Sequence, residues 1–247
     1  MKEKRPNMVF GIRPVMEAIS AGKEIDKILV QRGLRGENYN ELLQLIREMK
    51  ILTQMVPIEK LNSITRANHQ GIIAFTTAID TANIENVLPG IFESGKNPLI
   101  LVLDRLTDVR NFGAIARTAE CCGVDAILVP EKESAALNAD AVKTSAGALM
   151  KIPVCRTKNL KDSVSFLQKS GLKVFACTEK ATDYYYKENF DLPTAIIMGS
   201  EETGIANDLL RIADSMVKIP MLGEIGSLNV SVATGIILAE AVKQRIG

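Results

Sequence analysis

The sequence predicts an α/β protein whose C-terminal part holds an open, mostly parallel sheet, preceded by a smaller α/β domain. Three observations carry that expectation. Leu99–Leu103 is an unbroken apolar run, as strands buried on both faces of a parallel sheet are. Further apolar runs follow at 126–129, 152–154, 174–177, 195–198 and 217–219, and helical patterns near 137–142, 159–169 and 206–213 separate several of them. Such alternation is the pattern of a parallel α/β sheet. Finally, the runs 195–198 and 216–219 each end in a turn rich in glycine and polar residues, where such sheets hold ligands. No Gly-x-Gly-x-x-Gly joins a strand directly to a helix, so the dinucleotide fingerprint is absent.

In chain order, Val9-Phe10-Gly11 opens a first strand, and a helical stretch at 14–19 carries Pro14 in its first turn. Residues 25–30 read as a strand. The polar segment 31–38 reads as a loop exposing Arg32 and Arg35. Between 39 and 49 the apolar residues at 42, 45, 46 and 49 share one helix face. Met55-Val56-Pro57 and 71–75 complete a compact domain expected over 1–76. Before its last strand, Arg66, Asn68, His69 and Gln70 crowd one loop. That loop is read either as a polar turn with a solvent-facing histidine or as a set of donors for RNA phosphates and base edges. Residues 77–97 are small, polar and acidic around short apolar patches, with turns expected at Pro89-Gly90 and Gly95, and read as a connector into the second domain with room for one short helix packed against it. The second domain is expected over 98–247. Its first long helix begins near Asn111 and ends before Gly123, with Ile115, Ala119 and Cys122 toward the sheet and Arg117 off that seam. Its last helix is expected to begin near Ser227.

Composition sets limits. At 247 residues and 47% hydrophobic content the chain can bury a sizeable core in one large domain or two smaller ones. No run of eighteen apolar residues suggests a membrane span. The charged start lacks the apolar region of a secretory signal, which points to the cytoplasm. The four cysteines, 121, 122, 155 and 177, form no CxxC pair, and with one histidine no zinc pattern arises; buried free thiols are expected. The formal net charge is +1, divided as +4 over residues 1–76 and −3 over the remainder. Any local basic patch for RNA is therefore sought in the N-terminal part.

The loops leaving the expected strand ends hold Asp108 and Asn111, Thr178 and Glu179, the segment 199–204 and the segment 220–227. Asn111 sits where it could cap its helix. Glu201 lies in a turn bounded by Gly199 and Gly204, and Ser227 and Asn229 stand at the start of the last helix. A hydrolase triad fits poorly, because there is no Gly-x-Ser-x-Gly and His69 belongs to the other domain. These loops offer no converging carboxylates, so no metal is expected.

At these residues the chain resembles the SpoU-type RNA ribose 2′-O-methyltransferases of the SPOUT superfamily. The first family motif is matched by Asn111-Phe112-Gly113-Ala114-Ile115-Ala116-Arg117-Thr118-Ala119, and the second, Gly-x-Glu-x-x-Gly, by Gly199-Ser200-Glu201-Glu202-Thr203-Gly204. The third is matched by Ile219-Pro220-Met221 with Ser227-Leu228-Asn229-Val230-Ser231. Asn138-Ala139-Asp140 and Lys143-Thr144-Ser145-Ala146-Gly147-Ala148 are similar to a further family region, and Val109 replaces the usual proline. The first 75 residues are similar to the small substrate-binding domain of the subgroup acting on large-subunit ribosomal RNA.

The resemblance implies a trefoil knot in the C-terminal domain, S-adenosylmethionine as cofactor and a homodimer through the knotted domain. It implies catalytic roles for Arg117, Asn111, Glu201, Ser227 and Asn229. Arg117 would clamp the phosphate and nascent oxyanion, in its own or the partner subunit's site, with Glu201 positioning it. Thr178, Gly199, Ile219, Met221 and Leu228 would line the adenosine pocket. Arg32, Arg35, Arg66 and His69 are the candidates for RNA contact. The implied substrate is a guanosine in large-subunit ribosomal RNA. The alternatives are a transfer RNA ribose or another structured RNA, or a non-catalytic RNA-binding ribosome-assembly factor that kept the fold.

Overall fold

The computed structural model describes residues 8–246; the charged opening segment 1–7 and Gly247 lie outside the described residues. The chain divides into two compact units. Among the described residues, one comprises 8–80 with Ala136–Ala139, the other Thr81–Ala135 with 140–246.

The first unit is a four-stranded mixed sheet with helices on both faces. Its elements are β1 (Met8–Phe10), α1 (Ile12–Ser20), β2 (Ile25–Gln31), α2 (Glu37–Glu48), β3 (Thr53–Val56), α3 (Ile58–Ile64) and β4 (Ile72–Thr76). The strand order is β1-β4-β2-β3; β4 runs antiparallel to both its neighbours and β2 parallel to β3. Alternation along β2 sends Ile28 and Val30 to one face, where Val15 and Ile19 of α1 and Leu42 and Ile46 of α2 bury them. Leu29 points to the other face and packs with Ile73, Val56 and Leu61 of α3. Sequence periodicity did not reveal α3, because seven residues give too short a window.

The second unit is a seven-stranded sheet in which every pairing is parallel. It contains α4 (Ile84–Glu93), β5 (Leu99–Leu103), α5 (Val109–Cys121), β6 (Ala126–Pro130), α6 (Ala139–Thr144), β7 (Val154–Thr157), α7 (Leu160–Lys169), β8 (Lys173–Cys177), β9 (Asp183–Tyr184), β10 (Thr194–Met198), α8 (Asn207–Ile212), β11 (Ser215–Lys218) and α9 (Val230–Ile246). The order is β7-β6-β5-β10-β8-β11-β9. Successive strands late in the chain are thus not neighbours: β10 enters between β5 and β8, and β11 between β8 and β9. This order is consistent with a trefoil knot, a departure from the usual unthreaded connections. Both central strands, β5 and β10, are buried along their whole length, as continuous apolar runs require.

Several elements differ from expectation. The stretch 77–97 carries α4, with Pro89 and Gly90 inside the helix rather than in a turn. Proline there removes one helical hydrogen bond and costs about 3 kcal/mol. Ile84 and Leu88 are buried in the core of the second unit, and each such burial contributes roughly 1.5–3 kcal/mol, enough to offset it. The two-residue edge strand β9 is too short to show periodicity. β7 begins at Val154 rather than 152, and α9 at Val230 rather than Ser227. Of the cysteines, Cys155 is buried, Cys122 and Cys177 are half-buried, and Cys121 is exposed, where burial had been expected. Among the described residues no helix is long and apolar enough to cross a membrane.

Candidate active site

The loops leaving β8, β10 and β11 and the start of α9 enclose a cavity of about 490 Å³, within the range of small-ligand sites. Thr178, Gly199, Ile219, Met221 and Leu228 all line it, and Met198, Ile205 and Val230 add apolar wall. Gly199 is there for a steric reason. A Cβ on it would collide with the Gly204 carbonyl and the Ile205 nitrogen, so the two ends of the turn can touch only at glycine. The turn is closed by Gly204 N donating to the Ser200 carbonyl at 2.9 Å. Beneath it lies a brace that the sequence reading missed. Asp104, only 4% exposed, accepts from Ala206 N at 2.7 Å, and Arg105 Nη2 bridges Asp104 Oδ2 (3.3 Å) and the Gly204 carbonyl (3.2 Å). A carboxylate placed directly after a wholly apolar strand was the available signal, since a buried charge needs partners.

Beside the cavity, three distant segments meet. Asp108 caps α5 by accepting from Asn111 N at 2.7 Å, which fixes the Asn111 side chain at the head of the helix. Asn111 Nδ2 donates to Glu201 Oε1 at 3.1 Å, and Asn229 Nδ2 donates both to that oxygen and to Asn111 Oδ1 at 3.0 Å. Val230 N, in the first turn of α9, also donates to Glu201 Oε1, at 3.2 Å. The Glu201 carboxylate therefore sits at a helix N-terminus, the end that favours an anion. Because a carboxylate only accepts, both asparagine amides must turn their NH2 groups toward it. Glu201 Oε2 carries no hydrogen bond among the described residues, and Glu201 and Asn229 are exposed. Gly113 fixes the setting of α5, since a Cβ there would lie 2.6 Å from Thr144 Cβ.

The remaining expected residues fall in different places. Ser227 lines the cavity but does not cap α9; Asn229 does, its Oδ1 accepting from Ser231 N at 3.0 Å. Arg117 is exposed, roughly 9 Å along the helix axis from Asn111 at 1.5 Å per residue. It is not part of the cavity lining and has no hydrogen bond or ion pair among the described residues, so Glu201 does not hold it within the chain. Arg32 and Arg35 are exposed between β2 and α2, and Arg66 is exposed between α3 and β4. His69 is not solvent-facing: it is 6% exposed, its Nδ1 accepts from Gly71 N at 3.0 Å and its Nε2 pairs with Asn62 Oδ1 at 2.9 Å. Both ring nitrogens are used inside the unit. Cys177 lines the cavity, and burial, aided by Glu179, pushes its thiol up to about 12, which keeps it neutral.

This geometry defines an α/β enzyme with room for a nucleotide-sized cofactor at the ends of its parallel strands. Residues 98–239 match the SpoU rRNA methylase family, and residues 8–82 match the substrate-binding domain of RNA 2′-O ribose methyltransferases. The chain belongs to the SpoU family, and it is an RNA 2′-O-ribose methyltransferase. It is 37% identical over 240 residues to a Staphylococcus aureus (strain MSSA476) chain named as a TrmH family tRNA/rRNA methyltransferase, with 96% of each chain covered. The crystal structure of the SpoU methyltransferase AviRb from Streptomyces viridochromogenes in complex with AdoMet is 25% identical, has a TM-score of 0.61 and covers 97% of this chain and 90% of its own. The A. aeolicus TrmH/SpoU tRNA modifying enzyme is 30% identical with a TM-score of 0.56, covering 66% of this chain and 84% of its own.

Proposed function

We propose that the chain transfers a methyl group from S-adenosylmethionine to the ribose 2′-hydroxyl of a guanosine in large-subunit ribosomal RNA. The observation that carries the reading is the meeting of Asn111, Glu201 and Asn229 beside the cavity. The cavity residues fit the cofactor. Main-chain groups exposed around Gly199 and Gly226 suit an adenine edge, and the side chains of Ile219, Met221 and Leu228 suit its faces. S-adenosylmethionine bound there supplies an electrophilic methyl group.

The chain's own residues must then align a weak nucleophile behind that methyl and accommodate its proton. Glu201 Oε2 is open to accept from the ribose hydroxyl, while Oε1 holds Asn111 and Asn229 so that their remaining donor and acceptor sites face the nucleotide. An arginine is a poor base, its reference pKa lying above about 12. Arg117 instead serves as a cationic clamp on a phosphate. Its exposed, unpartnered position on α5 suits delivery into the partner's site in a homodimer formed through the second unit.

The first unit, read as the RNA-binding domain over 1–76, presents Arg32, Arg35 and Arg66 to the backbone. The similarity of 8–82 to a substrate-binding domain supports this, as does the +4 charge of that part. The choice of ribosomal over transfer RNA is supported by the match of 98–239 to the SpoU rRNA methylase family and by the resemblance of the first 75 residues to the subgroup acting on large-subunit ribosomal RNA. The guanosine rests on the resemblance of the motifs alone.

Ribose-methylation mapping of total RNA from a deletion strain, complemented with wild-type and Arg117→Ala protein, tests the reading. Loss of one large-subunit mark, restored by wild type alone, is expected. A lost mark on transfer RNA would keep the reaction and overturn the substrate. An unchanged map from cells expressing RNA-binding protein would favour the non-catalytic assembly factor.

A further inference from the structure

The edge of the second unit's sheet carries a feature that the methyl-transfer site does not use. β9 is the last strand, and its Tyr184 lies in register with Lys218 of β11. Tyr184 and Tyr186 stack with ring centroids 5.5 Å apart and planes 14° from parallel, and Tyr185 meets Tyr186 edge-on at 5.4 Å. The ammonium groups of Lys218 and Lys187 lie 5.4 and 5.8 Å from the centre of the Tyr184 ring. Tyr186 is 47% exposed, and Lys187 is exposed beside it.

Two features argue against a simple structural plug. An apolar plug would bury its rings, as Phe175 and Phe190 do nearby at 0% exposure. A structural lysine would find a carboxylate, as Lys173 does with Glu188 at 2.8 Å, yet Lys187 and Lys218 make no ion pair among the described residues. The acidic neighbour on the strand, Asp183, accepts instead from the Thr182 hydroxyl at 3.2 Å. This cationic cluster stands out in a part of the chain whose net charge is −3. It also adjoins the cofactor cavity in sequence, because Lys218 runs directly into Ile219, and Lys180, three residues before β9, lines that cavity.

Stacked aromatic rings with unpaired lysines alongside are the chemistry that holds single-stranded nucleic acid, the rings taking bases and the cations taking phosphates. We propose that Tyr184, Tyr186, Lys187 and Lys218 form a stacking platform for an unpaired nucleotide flanking the methylated one. The inference rests on the RNA methyltransferase reading and adds an RNA contact on the catalytic unit itself. A target ribose inside a duplex cannot approach the cavity freely. A platform holding the neighbouring base would keep the strand open at the cavity mouth.

The test uses the full chain and a fluorescent ten-residue oligoadenylate, with a blunt RNA duplex as control. Binding is followed by anisotropy, S-adenosylhomocysteine binding by calorimetry, and folding by thermal melting. Tyr186→Ala is expected to weaken oligoadenylate binding about tenfold, the effect of losing one stacked base, with duplex and S-adenosylhomocysteine binding unchanged. Tyr186→Phe is expected to bind as wild type, since the ring rather than the hydroxyl does the stacking. Lys187→Ala, an exposed change, is expected to lower the salt slope of oligoadenylate binding by about 0.7. Equal oligoadenylate binding by wild type and Tyr186→Ala, both melting alike, would overturn the platform while methyl transfer by the wild type continued. Absence of methyl transfer by the wild type on any RNA would instead overturn the functional reading, whatever the oligoadenylate result.

Discussion

The Glu201 cluster and the His69 cluster are made from the same materials: a side-chain amide, an ionisable group and a main-chain N–H. They close in opposite ways. His69 gathers Asn62 and Gly71 from within ten residues, sits at 6% exposure and spends both ring nitrogens on them. Glu201 gathers Asn111 and Asn229 from 90 and 28 residues away, stays exposed, and spends one carboxylate oxygen while the other remains open. A local cluster with nothing left over holds a loop in shape. A long-range cluster with donors and acceptors to spare, set against a cavity, is equipped to hold something else.

Replacing each centre by alanine separates the two most sharply. Glu201→Ala is expected to slow methyl transfer about a hundredfold, the size of effect that misplaced reacting groups produce, with little change in melting temperature. A melting loss as large as the activity loss would make the cluster structural, like that of His69. His69→Ala should do the reverse. It leaves the buried Gly71 N–H unpaired, at a cost of roughly 1–3 kcal/mol in chemical denaturation, while turnover of the folded enzyme at saturating RNA stays near wild type. A smaller effect is expected from the exposed arginines. The triple change Arg32→Ala, Arg35→Ala, Arg66→Ala should raise KM for RNA severalfold and flatten its salt dependence by about two units, leaving kcat alone. Unchanged KM would remove the first unit's loops from the RNA path.

The smallest expected effect is chemical silence. Burial, with Glu85 adding to it, pushes the Cys155 thiol up to about 12, and Cys177 is likewise raised to about 12. A raised thiol pKa keeps the reactive thiolate scarce at pH 8. Iodoacetamide at that pH should therefore label exposed Cys121 and spare both, as peptide mass spectrometry would read. Rapid labelling of Cys177 would mean that the cavity wall opens.

The sheet of the second unit was legible because buried parallel strands write themselves as apolar runs. Leu99–Leu103 appears with the same limits in sequence and structure. Helix ends were less legible. The last helix is expected to begin near Ser227 but begins at Val230; the segment before it belongs to the cavity rim, and of the two residues at its start Asn229 takes the capping role. Pro89-Gly90 reads locally as a turn, and only the tertiary burial of Ile84 and Leu88 keeps it helical. The meeting of Asn111, Glu201 and Asn229 has no local signal at all; the family resemblance singled out the three residues without placing them against one another. The Asp104–Arg105 brace lay outside those motifs and was missed for that reason. His69 was misplaced because a polar loop suggests exposure, whereas a histidine with two internal partners can be buried at little cost.

One measurement tests the methyl-transfer site directly. Purified protein is incubated with ribosomal RNA and S-adenosylmethionine labelled in its methyl group, alongside the Glu201→Ala protein, and the RNA is then hydrolysed in alkali. Alkaline cleavage needs a free 2′-hydroxyl, so ribose methylation leaves the label in an alkali-stable dinucleotide. Label in that dinucleotide with wild type, falling about a hundredfold with Glu201→Ala, is the expected result. Label released in mononucleotides would place the methyl on a base, and equal labelling by the two proteins would contradict the role of the Glu201 cluster.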